Sequence, residues 1–477
     1  MIEGLSKLRF GNFQAAIICL LVLAGCAIGP NYKRPAVESP AQFRSTPEKG
    51  STNSLANLAW WNVYKDETLK ALIQTALTNN YDLRLAAARV EESHAIAVQA
   101  RSQFFPQIGY DAEAARGRNS GLGTPSPAVR GTANSFLAAL NASWEVDLWG
   151  RIRRLNESAR ARFLATEEAR HGVVLSLVAD VAQAYFELLE LDDELEIAKR
   201  TTNSFGESLR IFGQRLEGGV VSKIETSRAE AALATTAATV PNLERRIIIK
   251  ENQIRVLLGH NPGPVVRHTT LLEQAVPPEV PPGLSSELLE RRPDIREAEQ
   301  LARSANAQVG VALGDFLPKI GLTALYGGVS SDLSDIASRS ASVWSVAANV
   351  AGPLFQGGRL YGQYRQSKAA WEEAKLRYQQ TALNAFQEVA DALISRGKLA
   401  EVRAQQARAV AAYRDAVAVS TQRYTAGKAS YYEVLEAQQQ LFPAENSLAQ
   451  TQLNQLLVVV QLYKALGGGW HTRPTVR

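Results

Sequence analysis

The feature that most constrains how this chain folds is an internal repeat of 208 residues. Three pairs of landmark residues share that separation: Arg151 and Arg359, Gly219 and Gly427, Gly259 and Gly467. Pro106 and Pro318 lie 212 residues apart, so the four-residue difference falls in the hairpin region after each proline, where loops tolerate it. The chain is therefore a duplicated unit, and not an array of short repeats.

Each half contains segments that are typical of unusually long helices. The 68 residues from Arg151 to Gly219 would span about 100 Å as a helix. The return segment to Gly259 would span about 60 Å, and a helix over residues 81–105 would add about 37 Å. Coiled-coil spacing recurs in these segments, for example at Leu383, Phe386, Ala390 and Leu393. Since such rods are longer than any compact core, we expect them to pack side by side.

The period changes after Pro106 and again after Pro318. Two strands are expected between Pro106 and Leu148, around a loop rich in Gly, Pro and Ser at residues 117–131. The second strand alternates, and its apolar face consists of Phe136, Ala138, Leu140, Ala142, Trp144, Val146 and Leu148. The second half predicts two more strands, with apolar faces formed by Ile320, Leu322, Ala324 and Tyr326, and by Trp344, Val346, Ala348 and Val350.

Alternation alone allows two interpretations of these strands. In a soluble sandwich the apolar face would be core, whereas in a membrane barrel it would face lipid and the polar face would line a lumen. Four strands are too few to close a barrel, so closure needs several copies of the chain. Three copies would supply twelve strands.

The N-terminus predicts export. Lys7 and Arg9 precede a short apolar segment that ends at Cys26. The small residues before Cys26 look like a bacterial lipobox, and this resemblance implies cleavage before Cys26 and lipid attachment to it. The alternative is an ordinary signal peptide that ends near a cysteine. Cys19, the other of the two cysteines, would leave with the signal.

Composition narrows the class of protein further. The chain has 477 residues, of which 21% are charged and 46% hydrophobic, so it is not disordered by composition. Its formal charge of +5 is spread along the chain without a basic block, which argues against nucleic-acid binding. No apolar run beyond the expected signal segment is long enough for a transmembrane helix.

These observations predict six segments in the chain. They are a lipoprotein signal peptide (1–25), a lipidated arm (26–60), a first helix/hairpin/helix repeat (61–260), a proline-rich connector (261–284), a second repeat (285–470) and a C-terminal tail (471–477). The expected fold class is mixed α and β, but mostly helical.

Six short segments carry a resemblance to a known family. They are residues 23–26 (LAGC), 29–35 (GPNYKRP), 147–151 (DLWGR), 291–296 (RRPDIR), 352–359 (GPLFQGGR) and 460–470 (VQLYKALGGGW). Over essentially all of its mature length the chain resembles the TolC-like outer-membrane factors, in the lipoprotein branch that includes OprM, CusC and NodT.

The resemblance implies a homotrimer with a twelve-stranded β-barrel in the outer membrane and a long coiled-coil α-barrel in the periplasm. The connector and the termini would form an equatorial belt. Docked to a periplasmic adaptor and an inner-membrane pump, of the RND type, such a trimer is a passive duct for small molecules. It is anchored to outer-membrane lipid through Cys26, performs no chemistry and needs no cofactor.

The resemblance also assigns roles to residues near the two glycine turns. Glu433 and Glu436 lie one helical turn apart and match acidic positions at the periplasmic aperture, where a trimer would form two rings of carboxylates. An ordinary solvated helix face is the alternative for this pair. Glu225 and Tyr424 match positions in the network that closes the tip. Gly219 and Gly427 are expected to form turns with positive φ.

One position of that network departs from the family. Its basic member aligns with Ala429. The candidate substitutes are Lys428, Lys223 and Arg423.

Other functions find less support in the sequence. The five histidines are scattered without metal-ligand spacing, and no catalytic triad or phosphate loop stands out. A lipoprotein enzyme and a purely structural coiled-coil lipoprotein are the alternatives from other classes. Within the duct interpretation, metal-ion efflux and type I protein secretion compete with small-molecule efflux.

Overall fold

The protein is described here from a computed structural model, which covers residues 27–40, 43, 63–119, 131–274 and 287–468. The signal peptide, Cys26, most of the arm, the hairpin loop at 120–130, residues 275–286 of the connector region and the tail lie outside the described residues.

Long helices and one antiparallel sheet make up the described chain. The helices are α1 (Glu67–Asn79), α2 (Tyr81–Ser102), α3 (Arg151–Glu217), α4 (Lys223–Ala237), α5 (Thr239–Leu257), α6 (Leu288–Arg291), α7 (Pro293–Gly314), α8 (Arg359–Thr425) and α9 (Tyr431–Ala465). The strands are β1 (Gln107–Asn119), β2 (Gly131–Val146), β3 (Lys319–Ser330) and β4 (Ser342–Ala351). The two 67-residue helices α3 and α8 confirm the predicted rods.

Two predicted helices are interrupted. The return helix of the first half was expected to be continuous, but it breaks at Ala238 into α4 and α5. Pro241 lies in the first turn of α5 and has no backbone N–H to continue the α4 ladder, which accounts for the break. The helix expected from residue 287 likewise breaks before Pro293, which begins α7 as proline does at a first helical position.

The chain forms two compact units. Unit 1 comprises Met1–Pro35, Arg89–Thr166 and Ala298–Tyr378, and unit 2 comprises Ala36–Ala88, Glu167–Glu297 and Gln379–Arg477. Unit 1 contains the sheet, and unit 2 contains both glycine turns.

The sheet of unit 1 has the strand order β1-β2-β3-β4, and every neighbouring pair is antiparallel. One row of partners crosses all four strands: Tyr110, Leu140, Tyr326 and Trp344. These large side chains are not a core, since Tyr110 is 81%, Tyr326 65% and Trp344 74% exposed. Within the chain, therefore, the apolar face is not buried as the sandwich interpretation requires, and it has the surface of a lipid-facing sheet.

The N-terminal segment after Cys26 is held firmly in unit 1. Arg154 is buried and donates to the carbonyl oxygens of Ile28 (3.2 Å) and Gly29 (3.3 Å) and to Oδ1 of Asn31 (2.7 Å). Gly29 has a φ of +97° and lies so close to Gly310 that a Cβ on it would be 2.6 Å from the Gly310 Cα. Only glycine fits there. The Arg154 hydrogen bonds and this close contact together fix the position of the segment that begins one residue after Cys26.

The core of unit 2 is built around buried aliphatic and aromatic side chains of α1, α3, α5 and α9. Asp66 caps α1 by accepting from the backbone N–H groups of Thr68 (2.8 Å) and Leu69 (3.1 Å). Its second oxygen accepts from the Tyr185 hydroxyl (2.9 Å), Thr269 and Gln274 (2.7 Å). One carboxylate thereby joins α1, α3 and the segment after α5.

Among the residues that the structure describes, one helix has a window long and apolar enough to cross a membrane. It is α3, and 67% of that window is buried inside the protein, as is usual for a core helix. We therefore assign the apolar window of α3 to the core, since its partners are the other helices of unit 2.

Candidate functional site at the helical turns

The two glycine turns of unit 2 have the same backbone geometry. Gly219 and Gly427 each have a φ of +68°, so the prediction of positive φ is confirmed. In both turns the glycine N–H donates to the backbone carbonyl oxygen three residues before it. The next N–H donates to the carbonyl oxygen five residues before it, which belongs to Arg215 in the first turn (2.9 Å) and to Arg423 in the second (2.8 Å). This pattern is the Schellman motif, which ends a helix and reverses the chain. Space is open around both glycines, so the left-handed φ alone requires glycine.

An apolar cluster binds the two turns together, and we call it the tip cluster. It consists of Phe205, Phe212, Ala229, Tyr424, Tyr431, Val434 and Leu435, which come from α3, α4, α8 and α9. Its centre is the pair Phe212 and Tyr431, whose ring centroids are 3.8 Å apart. The cluster therefore joins the hairpin of the first half to the hairpin of the second.

Tyr424 is the residue of the tip cluster with a cationic partner. The Arg215 guanidinium lies over its ring, 4.3 Å from the centroid. Burial raises the pKa of Tyr424, Arg215 partly offsets that rise, and the nearby charge of Glu225 adds to it. A cation over a desolvated aromatic ring contributes about 1–2 kcal/mol, which makes this a specific link between α3 and α8.

Glu225 and Glu433 occupy equivalent positions in the two halves of the repeat, but they make different contacts. Glu225 turns back onto its own helix and accepts from the backbone N–H of Ser222 at 3.3 Å. Glu433 lies 3.8 Å from Arg423, which is the repeat counterpart of Arg215. The first-half arginine thus reaches across to Tyr424, whereas the second-half arginine stays within its own hairpin.

Glu433 and Glu436 share a groove between α8 and α9, of about 400 Å³, with Tyr413, Ser420, Arg423 and Gln440. Glu436 is exposed and has no ion-pair partner among the residues that the structure describes. Two carboxylates on one exposed helix face, with a single arginine near one of them, leave net negative charge on that face.

A line of contacts continues from the turns along α3 and α9. Gln438 donates to the Ser204 hydroxyl at 2.9 Å, and farther along Arg200 pairs with Glu445 at 2.6 Å. Glu445 is only 5% exposed and also accepts from Arg414 of α8 at 2.7 Å. A buried carboxylate between two arginines fixes the relative positions of α3, α8 and α9, because losing either arginine leaves its charge poorly compensated.

The structure brings together most of the residues singled out in the sequence, and adds one. Tyr424, Glu225, Gly219, Gly427, Glu433 and Glu436 all lie at or next to the paired turns. Of the three suggested substitutes for the basic residue absent at Ala429, Arg423 makes an ion pair, with Glu433. The arginine on Tyr424 is Arg215, which sequence reasoning missed although the internal repeat makes it the counterpart of Arg423.

Within the described ranges, no group of three or more His, Cys, Asp or Glu residues is placed to hold a metal ion. The chemistry of the turns is that of charge, hydrogen bonding and aromatic packing.

Comparison with known sequences identifies the family. A sequence model of the outer membrane efflux proteins matches residues 72–260 and 284–468 of this chain. The chain belongs to that family. It is an outer-membrane efflux channel, as the resemblance implied, and it has the mixed, mainly helical fold of these channels.

Similar proteins agree with this membership over nearly the whole chain. The solvent efflux pump outer membrane protein SrpC of Pseudomonas putida is 34% identical, with 95% of this chain and 97% of that protein covered. The cation efflux system protein CusC of Escherichia coli K12 is 32% identical, with 94% and 97% covered. The solved outer-membrane channel OprN is 32% identical, with a TM-score of 0.87, and covers 93% of this chain and 100% of its own.

Proposed function

We propose that this efflux channel works as a homotrimer, a passive duct that takes small molecules from an inner-membrane RND pump through a periplasmic adaptor. The observation that carries the proposal is the open four-stranded sheet with an exposed apolar face. A sheet with free edges is not stable in lipid, and closure by three copies gives twelve strands. The duct performs no chemistry and uses no cofactor, so the energy for transport comes from the pump.

The domain assignment follows the same proposal. Residues 1–25 are a signal peptide, Cys26 carries the lipid, 26–60 form the arm, 61–260 and 285–470 are the two repeats, and 261–284 are the equatorial connector, with 471–477 as the tail. Support for the anchor comes from the Arg154 contacts, which hold residues 28–31 on the same unit as the sheet.

The turns form the periplasmic entrance in this proposal. Glu433 and Glu436 each contribute one carboxylate per copy to an acidic ring, and Glu225, Tyr424, Gly219 and Gly427 belong to the closed tip. The exposed negative face of α9 supports the ring assignment. The tip cluster and its Arg215–Tyr424 contact support a closed resting state.

The proposal is tested on the purified full-length lipoprotein. Native mass spectrometry in detergent is expected to give a trimer, and planar bilayers are expected to show rare, discrete channel openings. A monomer or dimer that conducts no ions would contradict the duct. Trimers that show no conductance, even when the tip is weakened by the substitution R215A, would favour a structural lipoprotein instead.

Replacing Arg215 by alanine is expected to raise the open probability of the single channel. The substitution removes the cation from Tyr424, and a contact worth about 1 kcal/mol corresponds to roughly a fivefold change in the closed-to-open ratio. R210A is the matched control, because Arg210 lies on the same helix but pairs with Glu207 one turn away. Equal open probabilities for R215A and R210A would remove Arg215 from the lock.

A further inference from the structure

The two edge strands of the sheet are β1 and β4, and each has a hydrogen-bonded neighbour on one side only within the described chain. In lipid, each unpaired backbone N–H or C=O group along an edge costs several kcal/mol. The proposed trimer therefore requires β4 of one copy to pair with β1 of the next. The strand pairs within one chain indicate the register of this junction.

The two hairpins of one chain have the same register. Gly109 faces Asn141 in the first hairpin, and Gly321 faces Asn349 in the second. In both, the asparagine side chain lies directly over the glycine, where a Cβ would collide with its Oδ1 atom. Every residue pair of the second hairpin matches a pair of the first, from the pair Lys319 and Ala351 onward. The first strand of the second hairpin lies 212 residues after its counterpart, the same separation as Pro106 and Pro318. The second strand lies 208 residues after its counterpart, the same separation as Arg151 and Arg359.

The β2–β3 junction shows how one hairpin joins the next. There Ala139 faces Gly327, and Leu140 faces Tyr326. Because the hairpins are equivalent, the junction between copies is expected to repeat this register.

Applying the same offsets, we propose that residues 343–351 of one copy pair antiparallel with residues 111–119 of the next. Ala347 then faces Ala115, Ala348 faces Ala114, and Asn349 faces Glu113. This inference rests on the proposed oligomer and specifies its interface.

The proposed register keeps each face of the sheet uniform. Ala348 and Ala114 both lie on the apolar face, and Asn349 and Glu113 both lie on the polar face, whereas a slip of one residue would reverse every side chain. Asn349 thereby gains a carboxylate from the neighbouring copy. The polar ring at this level of the lumen is completed only by assembly.

The same register gives a partner to an exposed apolar residue just beyond the end of β4. Leu354 is fully exposed in the single chain and is the repeat counterpart of Val146, which faces Ile320 across the β2–β3 junction. Its partner between copies would be Ile108, whose side chain is exposed as well. Pro353 has no N–H to donate, which accounts for β4 ending at Ala351.

The test is disulfide trapping in the full-length protein. We would make A115C/A347C on the polar face and A114C/A348C on the apolar face, and oxidise each in isolated outer membranes. Positions 115 and 347 lie on opposite edges of a four-stranded sheet, three strand spacings or about 14 Å apart across the strands and displaced further along them, so a disulfide within one chain is excluded. Both pairs are expected to give covalent dimers and trimers on non-reducing gels.

Controls separate the register from the oligomer. Each single-cysteine variant measures any background cross-linking through Cys26. E113C/A347C and G117C/A347C shift the register by two residues and keep the same face, and they are expected to cross-link at least about tenfold more slowly, because their Cα atoms lie beyond disulfide reach.

The possible outcomes point to different conclusions. Faster cross-linking of a shifted pair would overturn the register. Trimers by native mass that give no cross-link with either matched pair would overturn it too, while leaving the proposed function intact. Matched cross-links in a ladder that ends at two copies or runs past three would support the register and contradict the trimer.

Discussion

The double substitution E433Q/E436Q is expected to abolish most of the cation selectivity of the channel. In the proposed trimer it removes six carboxylates from a narrow entrance, and the ratio of cation to anion permeability should fall on the order of fivefold or more. The measurement is the reversal potential of single channels in planar bilayers under a salt gradient.

The two single variants sharpen this expectation. Arg423 lies 3.8 Å from Glu433 and partly compensates its charge, while Glu436 has no such neighbour among the described residues. E436Q should therefore reduce selectivity more than E433Q does. Glu372 and Glu373 on α8 provide the matched control, since E372Q/E373Q removes the same charge in unit 1. Selectivity that is unchanged in E433Q/E436Q, or lowered equally by the control, would refute the acidic rings.

Replacing Asp66 by alanine is expected to destabilise the fold strongly. It removes the cap of α1 and the acceptor shared by the buried hydroxyl of Tyr185 and the half-buried side chains of Thr269 and Gln274. Together these losses amount to about 3–5 kcal/mol. Thermal unfolding followed by circular dichroism should show a melting temperature lower by roughly 5–10 °C at a fixed scan rate.

The control for this prediction is the neighbouring residue Glu67, which lies in the first turn of α1 and whose side chain is 85% exposed. E67Q should leave the melting temperature within about 1 °C of wild type, as is usual for surface substitutions. If D66A and E67Q have the same melting temperature, the Asp66 contacts do not stabilise the fold.

The Asp66 contribution should also depend on pH. Burial alone raises the pKa of this carboxyl, but hydrogen bonds from Thr269, Gln274, the Leu69 backbone and Tyr185 outweigh it, so the pKa in the folded state lies below its ordinary value of 3.8. A lowered folded-state pKa means that the stabilisation is fully present above the unfolded pKa and is lost as the pH falls through the folded one. The difference between wild type and D66A should thus be constant from pH 7 down to about 5, and shrink below about 4.

Much of the fold follows from local patterns in the sequence. Period-2 alternation located the four strands, and the helical pattern between glycines located α3 and α8, because both periods reflect backbone geometry within a few residues. The break at Ala238 was missed, although Pro241 is visible in the sequence. A proline early in a helix is compatible with a new start as well as with a kink, and the pattern around it stays helical.

The candidate site was predicted less completely. The positions of Gly219, Gly427, Glu433 and Glu436 relative to the turns follow from spacing alone. The partner of Tyr424 does not, because Arg215 lies in the other half of the repeat, and only the packing of α3 against α8 determines which arginine covers the ring.

The sequence by itself determined the duplication, the lengths of the rods, the alternation of the strands and the location of the turns, since each is a repeating or local property of the chain. The tertiary structure alone decided that the apolar sheet face stays exposed, that Glu225 caps its own helix while Glu433 faces Arg423, and that Arg215 lies on Tyr424. Those outcomes depend on the rotation and offset of helices and strands that are distant in sequence, and a small rotation of α3 or α8 would exchange one partner for another.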